Sequence, residues 1–232
     1  TPKEYLYGED HRVITQIALG KRLEVKGASD LNQVVMIQCV GSRNEENPNC
    51  SRICCQSAIK NDLAIKRRNP EAQVFVLNRD IRTYGLLEDY YTEARREGVV
   101  FIRFEADAPP RVERNGDAVT VTVKDHILQQ DIEISADLLV LATGVVPNLP
   151  ADLAAAYGID RDMDGFFQEA ESKWRPVDAL KEGVFACGLA HSPRSIAESI
   201  ATAEAAAQPN DKCGCKRFKK HLEQYSTRWP RT

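Results

Sequence analysis

The sequence predicts an α/β protein: a Rossmann-like parallel sheet with crossover helices, joined by an antiparallel β-hairpin. Three observations predict it. Short runs rich in branched apolar residues, Val34–Ile37, Gln73–Leu77, Val99–Ile102 and Leu138–Ala142, have the length and composition of buried strands. Segments of helical spacing separate the first three runs, and strands alternating with helices pair in parallel through right-handed crossovers. Before the last run, Ala118 to Lys124 and Asp131 to Ser135 alternate apolar and polar residues, the period of an antiparallel pair.

The elements follow in order. Residues 1–32 read as a linker with one short helix, Gln16 to Leu23, capped by Thr15 and weakened by Gly20. The first strand ends at Gly41-Ser42, and Asn44 to Pro48 is a polar loop. From Ser51 to Arg68 the apolar positions Ile53, Ala58, Leu63, Ala64 and Ile65 fit one helix. Lys66, Arg67 and Arg68 compensate its C-terminal dipole, and Asn69-Pro70 stops it. A second helix runs from Leu86 to Glu97 and ends at Gly98. After Pro150 the texture changes. Asp152 to Tyr157 is a short helix, Asp164-Gly165 a turn, Gly183 to Cys187 a strand ending on Gly188, and Ser195 to Ala207 an alanine-rich helix. The tail, 208–232, is basic and polar, with little to bury.

Composition narrows the class. The chain has 232 residues, room for one large domain or two small ones, with 43% apolar and 28% charged residues. A net charge of -3 gives no reason to expect nucleic acid or an anionic membrane as partner. No run of 18 apolar residues predicts a transmembrane helix. No secretion leader is visible, and the chain opens at Thr1 in mid-pattern, as a processed chain or an excised piece would.

Seven cysteines, four of them within residues 39–55, do not read as a secreted disulfide framework. Cys39 follows the first strand; Cys50 sits at the mouth of the next helix; Cys54 and Cys55 lie one turn on. On a helix, positions i and i+4 share a face, so Cys50 and Cys54 can point to one place, with Cys55 about 100° further round. The positive helix N-terminus favours thiolates, and Arg43 and Arg52 add to it. Four thiolates suit a [4Fe–4S] cluster, a structural zinc ion or a thiol–disulfide pair. Adjacent Cys-Cys in C-x3-C-C is unusual for zinc and strained as a disulfide, so the spacing favours the cluster. The turn Gln38–Arg43 lacks G-x-G-x-x-G, and the thiols occupy the place a pyrophosphate would take, so no dinucleotide of the usual kind is expected here.

These residues resemble a family. Ile37-Gln38-Cys39-Val40-Gly41-Ser42-Arg43, Cys50-Ser51-Arg52-Ile53-Cys54-Cys55, Asp80-Ile81-Arg82 and Glu93–Val99 are similar to the A-type component of heterodisulfide reductase and its bacterial relatives. Asp137–Gly144, Asp164–Phe167, Arg175-Pro176-Val177 and Gly183-Val184-Phe185 continue the likeness in order, over residues 4–207. The resemblance implies a thioredoxin-reductase-like flavoprotein, an FAD-binding domain interrupted by a pyridine-nucleotide-type one. It then divides the chain into 1–32, the end of an FAD-domain segment with its linker; 33–148, the inserted domain with the cysteines; 149–207, the C-terminal FAD-domain segment; and 208–232, the tail.

The same resemblance implies the ligands and the role. Cys39, Cys50, Cys54 and Cys55 would hold a [4Fe–4S] cluster, and Gly188, Leu189, Ala190 and Ile196 would touch FAD by backbone and packing. The FAD would need an N-terminal half or a partner chain, because no G-x-G-x-x-G precedes residue 33. The chain would act as an oxidoreductase component, relaying electrons between cluster and flavin in the cytoplasm. Its partners would be further subunits, B/C-like or ferredoxin-type, with a homodimer as another option. A non-enzymatic docking scaffold and a zinc-structured domain are the alternatives. Leu86 departs from the family, in which lysine usually follows the glycine; Leu189, where related disulfide reductases carry an acid, is a departure the family shares. His191, near the expected flavin loop, reads as a polar loop residue or a proton donor to flavin. Cys187 reads as a small buried apolar residue, and Cys213-Gly214-Cys215 as a surface feature.

Overall fold

The apolar runs become strands where a neighbour exists to pair with. In chain order the elements are β1 (Val13–Thr15), α1 (Gln16–Val25), β2 (Gln33–Val40), α2 (Cys54–Arg68), β3 (Gln73–Asn78), α3 (Glu88–Arg96), β4 (Val100–Arg103), β5 (Arg111–Asn115), β6 (Ala118–Asp125), β7 (Gln130–Ala136), β8 (Leu138–Thr143), α4 (Ala151–Tyr157) and α5 (Ile196–Ala207). This computed structural model describes residue 2, residues 4–116 and residues 118–208; Cys213 and Cys215 lie outside the described residues. The chain divides into two compact units between Val146 and Pro147.

The first unit is built on a parallel sheet of order β1-β8-β2-β3-β4 and an antiparallel sheet of order β5-β6-β7. β2 and β8 lie inside the parallel sheet, with Val35 opposite Leu139 and Ile37 opposite Leu141. Two faces of branched side chains therefore need cover. On one face Leu19 and Leu23 of α1 and Ala58, Ile59 and Ile65 of α2 pack on Met36, Val76 and Val140. On the other, Val119, Val121 and Ile134 of the antiparallel sheet pack on Val35, Ile37 and Leu141. Each such fully buried side chain contributes about 1.5–3 kcal/mol, an upper figure because unfolded chains are partly collapsed.

Local signals account for the helix ends. Thr15 Oγ1 accepts the Ala18 amide at 3.3 Å and opens α1. Lys66 Nζ donates to the carbonyls of Pro70 and Ala72 at the end of α2. Ser195 and Glu198 form a reciprocal capping box at the start of α5.

Four expectations need correction. Residues 1–32 add an unexpected strand to the expected helix: β1 pairs in parallel with β8, and α1 covers the sheet. The hairpin gains a third strand, β5, because Arg111–Asn115 finds the free edge of β6. The helix after the cysteines starts at Cys54, not at Ser51, because Arg52 adopts φ 57°, which an α-helix excludes. In the second unit Gly183 to Cys187 is no strand. It makes one bridge, Phe185 to Asp178, and no further ladder forms along it among the described residues. Gly188–Ala190 is instead a 3-10 turn, with Gly188 at φ 62°. No helix among the described residues is long and apolar enough to cross a membrane.

The N-terminal segment is fastened by Asp10, whose carboxylate takes Arg12 Nη2 at 2.6 Å and Arg114 Nε at 3.1 Å while only 3% exposed. The hydrogen bonds from Arg12 hold its pKa far below the ordinary 3.8. A lowered pKa adds stability above the ordinary value, and that stability is lost as pH falls below it. Asp10→Asn is expected to cost about 2 kcal/mol at pH 7, the scale of hydrogen bonds to a charged group. The difference should shrink below pH 4 in denaturant melts.

Candidate metal centre

The thiols gather where the parallel strands end and α2 begins. β2 does not run straight to its end. Cys39 adopts φ 63° and the β2–β8 register slips between Ile37 and Val40. Gly41 (φ 67°) and Arg43 (φ 58°) continue the turn. The Gly144 amide donates to Val40 O at 2.7 Å. A Cβ on Gly144 would stand 2.7 Å from Gly41 O and 2.9 Å from Ser42 Cβ. Gly144→Ala is therefore expected to push the Cys39 turn aside and cost about 1–3 kcal/mol, read as a lower denaturation midpoint.

The second arm, residues 50–53, is irregular, and it delivers Cys50 by a loop rather than by the expected helical turn. Ser51, 1% exposed, accepts the Val145 amide at 2.7 Å and ties this loop to the end of β8. The Arg52 amide points at Cys50 Sγ, 3.4 Å away, and its guanidinium lies 5.4 Å from the Tyr84 ring centre. Cys54 and Cys55 open α2, both buried and packed with Ile81 and Ala142. Gln16 Nε2 of α1 donates to Cys54 O at 3.1 Å and pins the helix start.

The four sulfurs lie within one another's electrostatic reach. Burial pushes the Cys39 thiol up, and Cys55 and Cys50 add to the rise. A hydrogen bond between Cys54 and Cys55 divides that pair: it lowers Cys55 to about 7 and drives Cys54 far up. The Arg82 amide also favours charge on Cys55. All four thiols are free. Among the described residues, no three His, Cys, Asp or Glu side chains converge as one ion requires. A tetrahedral zinc would hold its sulfurs within about 4 Å of one another, at Zn–S of about 2.3 Å. A four-iron cluster takes four cysteine thiolates, and Cys54 and Cys55, joined by a hydrogen bond in this structure, would part to bind one. The donor set, four thiols beside cationic and amide donors, fits the cluster.

In the second unit Gly188 N–H donates to Thr202 Oγ1 at 3.2 Å, holding the turn against α5. Leu189 and Ile196 expose 51% and 81% of their surface, so they are available to pack on a flavin or another chain. The α5 N-terminus already carries Glu198 in its first turn, which offsets part of its positive potential. His191 is buried; its Nδ1 meets Arg194 Nη2 at 2.8 Å, and its Nε2 lies 2.9 Å from Glu169 in poor hydrogen-bond alignment. Cys187 is half-buried, less enclosed than expected.

Two residues escape a reading of the sequence alone. Gln38, beside Cys39, is 1% exposed with both amide atoms unpartnered. Asp62, on α2, is fully buried with neither carboxylate oxygen hydrogen-bonded. A carboxylate at Asp62 interrupts an otherwise apolar helix face, and that interruption is the signal the sequence offers.

Fold and sequence together define a thioredoxin-reductase-like α/β protein with four cysteines at one end of its parallel sheet. Thioredoxin reductase from T. acidophilum superposes with TM-score 0.55 at 16% identity, covering 89% of this chain and 60% of that one. The Lactococcus lactis enzyme gives 0.54 at 17%, covering 97% and 61%. No family model matches. Over most of its own length the chain is homologous to the A-type components of heterodisulfide reductase. It is 38% identical over 189 residues to the A-type component of ferredoxin:CoB-CoM heterodisulfide reductase from Methanosarcina acetivorans, covering 79% of this chain and 23% of the relative. It is 35% identical over 223 residues to the iron-sulfur A-type component of CoB–CoM heterodisulfide reductase from Methanocaldococcus jannaschii, covering 88% and 34%. The chain thus spans about a quarter to a third of these relatives' length.

Proposed function

We propose that this chain is an electron-transfer part of an oxidoreductase, holding a [4Fe–4S] cluster on Cys39, Cys50, Cys54 and Cys55. The observation that carries the reading is the assembly of four free thiols from β2, the loop after it and the start of α2 at one end of the parallel sheet. Such a cluster supplies single-electron transfer when bound. The residues around it hold the ligands in place beforehand: Ser51 anchors the Cys50 loop and Gln16 the start of α2. The Arg52 amide is directed at the Cys50 sulfur, and the positive N-terminal end of α2 favours an anionic centre beside it. Burial keeps water from Cys54 and Cys55, and exposure is one determinant of potential.

In the second unit, Gly188, Leu189, Ala190 and Ile196 are proposed to contribute the ribityl-side turn and packing of an FAD site, completed by further chain. The Gly188 turn and the two exposed apolar side chains support this part. The names of the relatives support heterodisulfide-reductase-like partner subunits and a ferredoxin-type exchange of electrons. A cytoplasmic setting accords with free thiols. Anaerobically purified chain is expected to be brown, with four irons per chain and a paramagnetic signal on reduction. One zinc per chain and no iron would sink the cluster reading in favour of a zinc-structured domain.

A further inference from the structure

Resting on the reading of the four cysteines as cluster ligands, we propose that Arg43 sets the reduction potential of that centre through Cys39, and that Asp80 and Arg82 hold it in that position. Arg43 is fixed at both backbone and side chain. Its backbone sits at φ 58°, a left-handed conformation that strains a non-glycine residue. Its carbonyl accepts Arg79 Nη1 at 2.7 Å. Its guanidinium bonds Asp80 Oδ1 and, with the same nitrogen, comes within 3.9 Å of Cys39 Sγ. Asp80 is gripped from its other oxygen by Arg82, through Nε at 3.2 Å and Nη2 at 3.0 Å.

The turn between β2 and α2 is thus bound to the segment after β3 by two crossing bonds, one in each direction. Cys39 itself is also at positive φ, so two strained residues flank the contact. Strain of this kind persists only where the surroundings dictate it, and here the dictated result is a cation over one ligand sulfur. Salt bridges alone do not need that geometry, since Asp80 and Arg82 pair without Arg43.

The chemistry gives the direction. An arginine stays charged at every working pH and presents a rigid fork that can serve carboxylate and sulfur together. Net charge and hydrogen bonds to the sulfurs set a cluster's potential. A positive charge favours the reduced, more negative state. The Arg43 side chain is 19% exposed, so solvent screens it less than a surface arginine. Asp80 offsets part of that charge and orients the rest.

The test is a potentiometric titration of the full chain, reconstituted anaerobically and followed by paramagnetic resonance, with iron content measured in parallel. Arg43→Gln is expected to shift the midpoint potential downward; Asp80→Asn, which keeps the oxygen that accepts from Arg43 but loses the opposing charge, is expected to shift it upward, with iron content unchanged. Arg82→Gln, more exposed, is expected to shift it downward by less, and it decides the matter if Arg43→Gln takes up no iron. Iron-replete Arg43→Gln at the wild-type potential overturns the proposal while leaving the cluster intact. So does a shift of the same sign in Arg43→Gln and Asp80→Asn, the mark of a merely structural role. A wild-type chain that takes up no iron removes the cluster reading and this inference together.

Discussion

Cys54→Ser is expected to strip the centre of nearly all its iron. The residue is the first of α2, 5% exposed, and its carbonyl and thiol are each held, by Gln16 and Cys55 respectively. Serine fits the same space, so packing survives, but a buried hydroxyl does not ionise as a thiol does. Loss of a mere hydrogen-bond partner of a metal ligand costs about 10–100-fold in affinity, and loss of the ligand costs more. Iron per chain after gel filtration should fall by at least about tenfold. The helical signal should match metal-stripped wild type. The variant should also lose the extra resistance to denaturant that a group bound only by the folded chain confers. A variant that keeps four irons would move the fourth ligand elsewhere.

Asp62→Asn is expected to make the protein more stable near neutral pH, against the usual sign of a core substitution. Burial raises the Asp62 pKa well above 3.8, and no charged neighbour offsets it. The folded chain therefore retains a proton that the unfolded chain releases above the ordinary pKa. Each pH unit above that value costs about 1.4 kcal/mol until the folded carboxyl itself ionises. Asparagine keeps the shape and cannot ionise. Urea midpoints of wild type should fall as pH rises from 4, while those of the variant stay level, and the two should converge below pH 4. Parallel curves would mean that a partner of Asp62 supports its charge.

The parallel sheet is legible in the sequence because Val34–Ile37 and Leu138–Ala142 are continuous apolar runs, and period and composition both specify buried strands. The four thiols are legible for the same reason, since type and spacing are properties of the sequence. What the sequence hides is conformational. Nothing in Cys39, Arg43 or Arg52 announces a left-handed backbone, because side chains that adopt it usually do so under tertiary constraint. The route from Cys50 to α2 consequently reads as one helix. Gly183–Cys187 fails differently: it has a strand's composition but needs a neighbouring strand that composition cannot supply. Arg114 and Asp10 stand 104 positions apart, beyond any local pattern.

The pairing of β1 with β8 has a topological consequence. The first strand of this unit lies beside its last, and Glu4 and Tyr5 line the same hollow as Cys39 and Gly41, against which Gly144 closes. The polypeptide thus comes in and goes out along one rim. A module with that layout can be spliced into a loop of a host protein through two short crossings, without parting the host's own strands. The rim that brings the two ends of the unit together also carries Cys39.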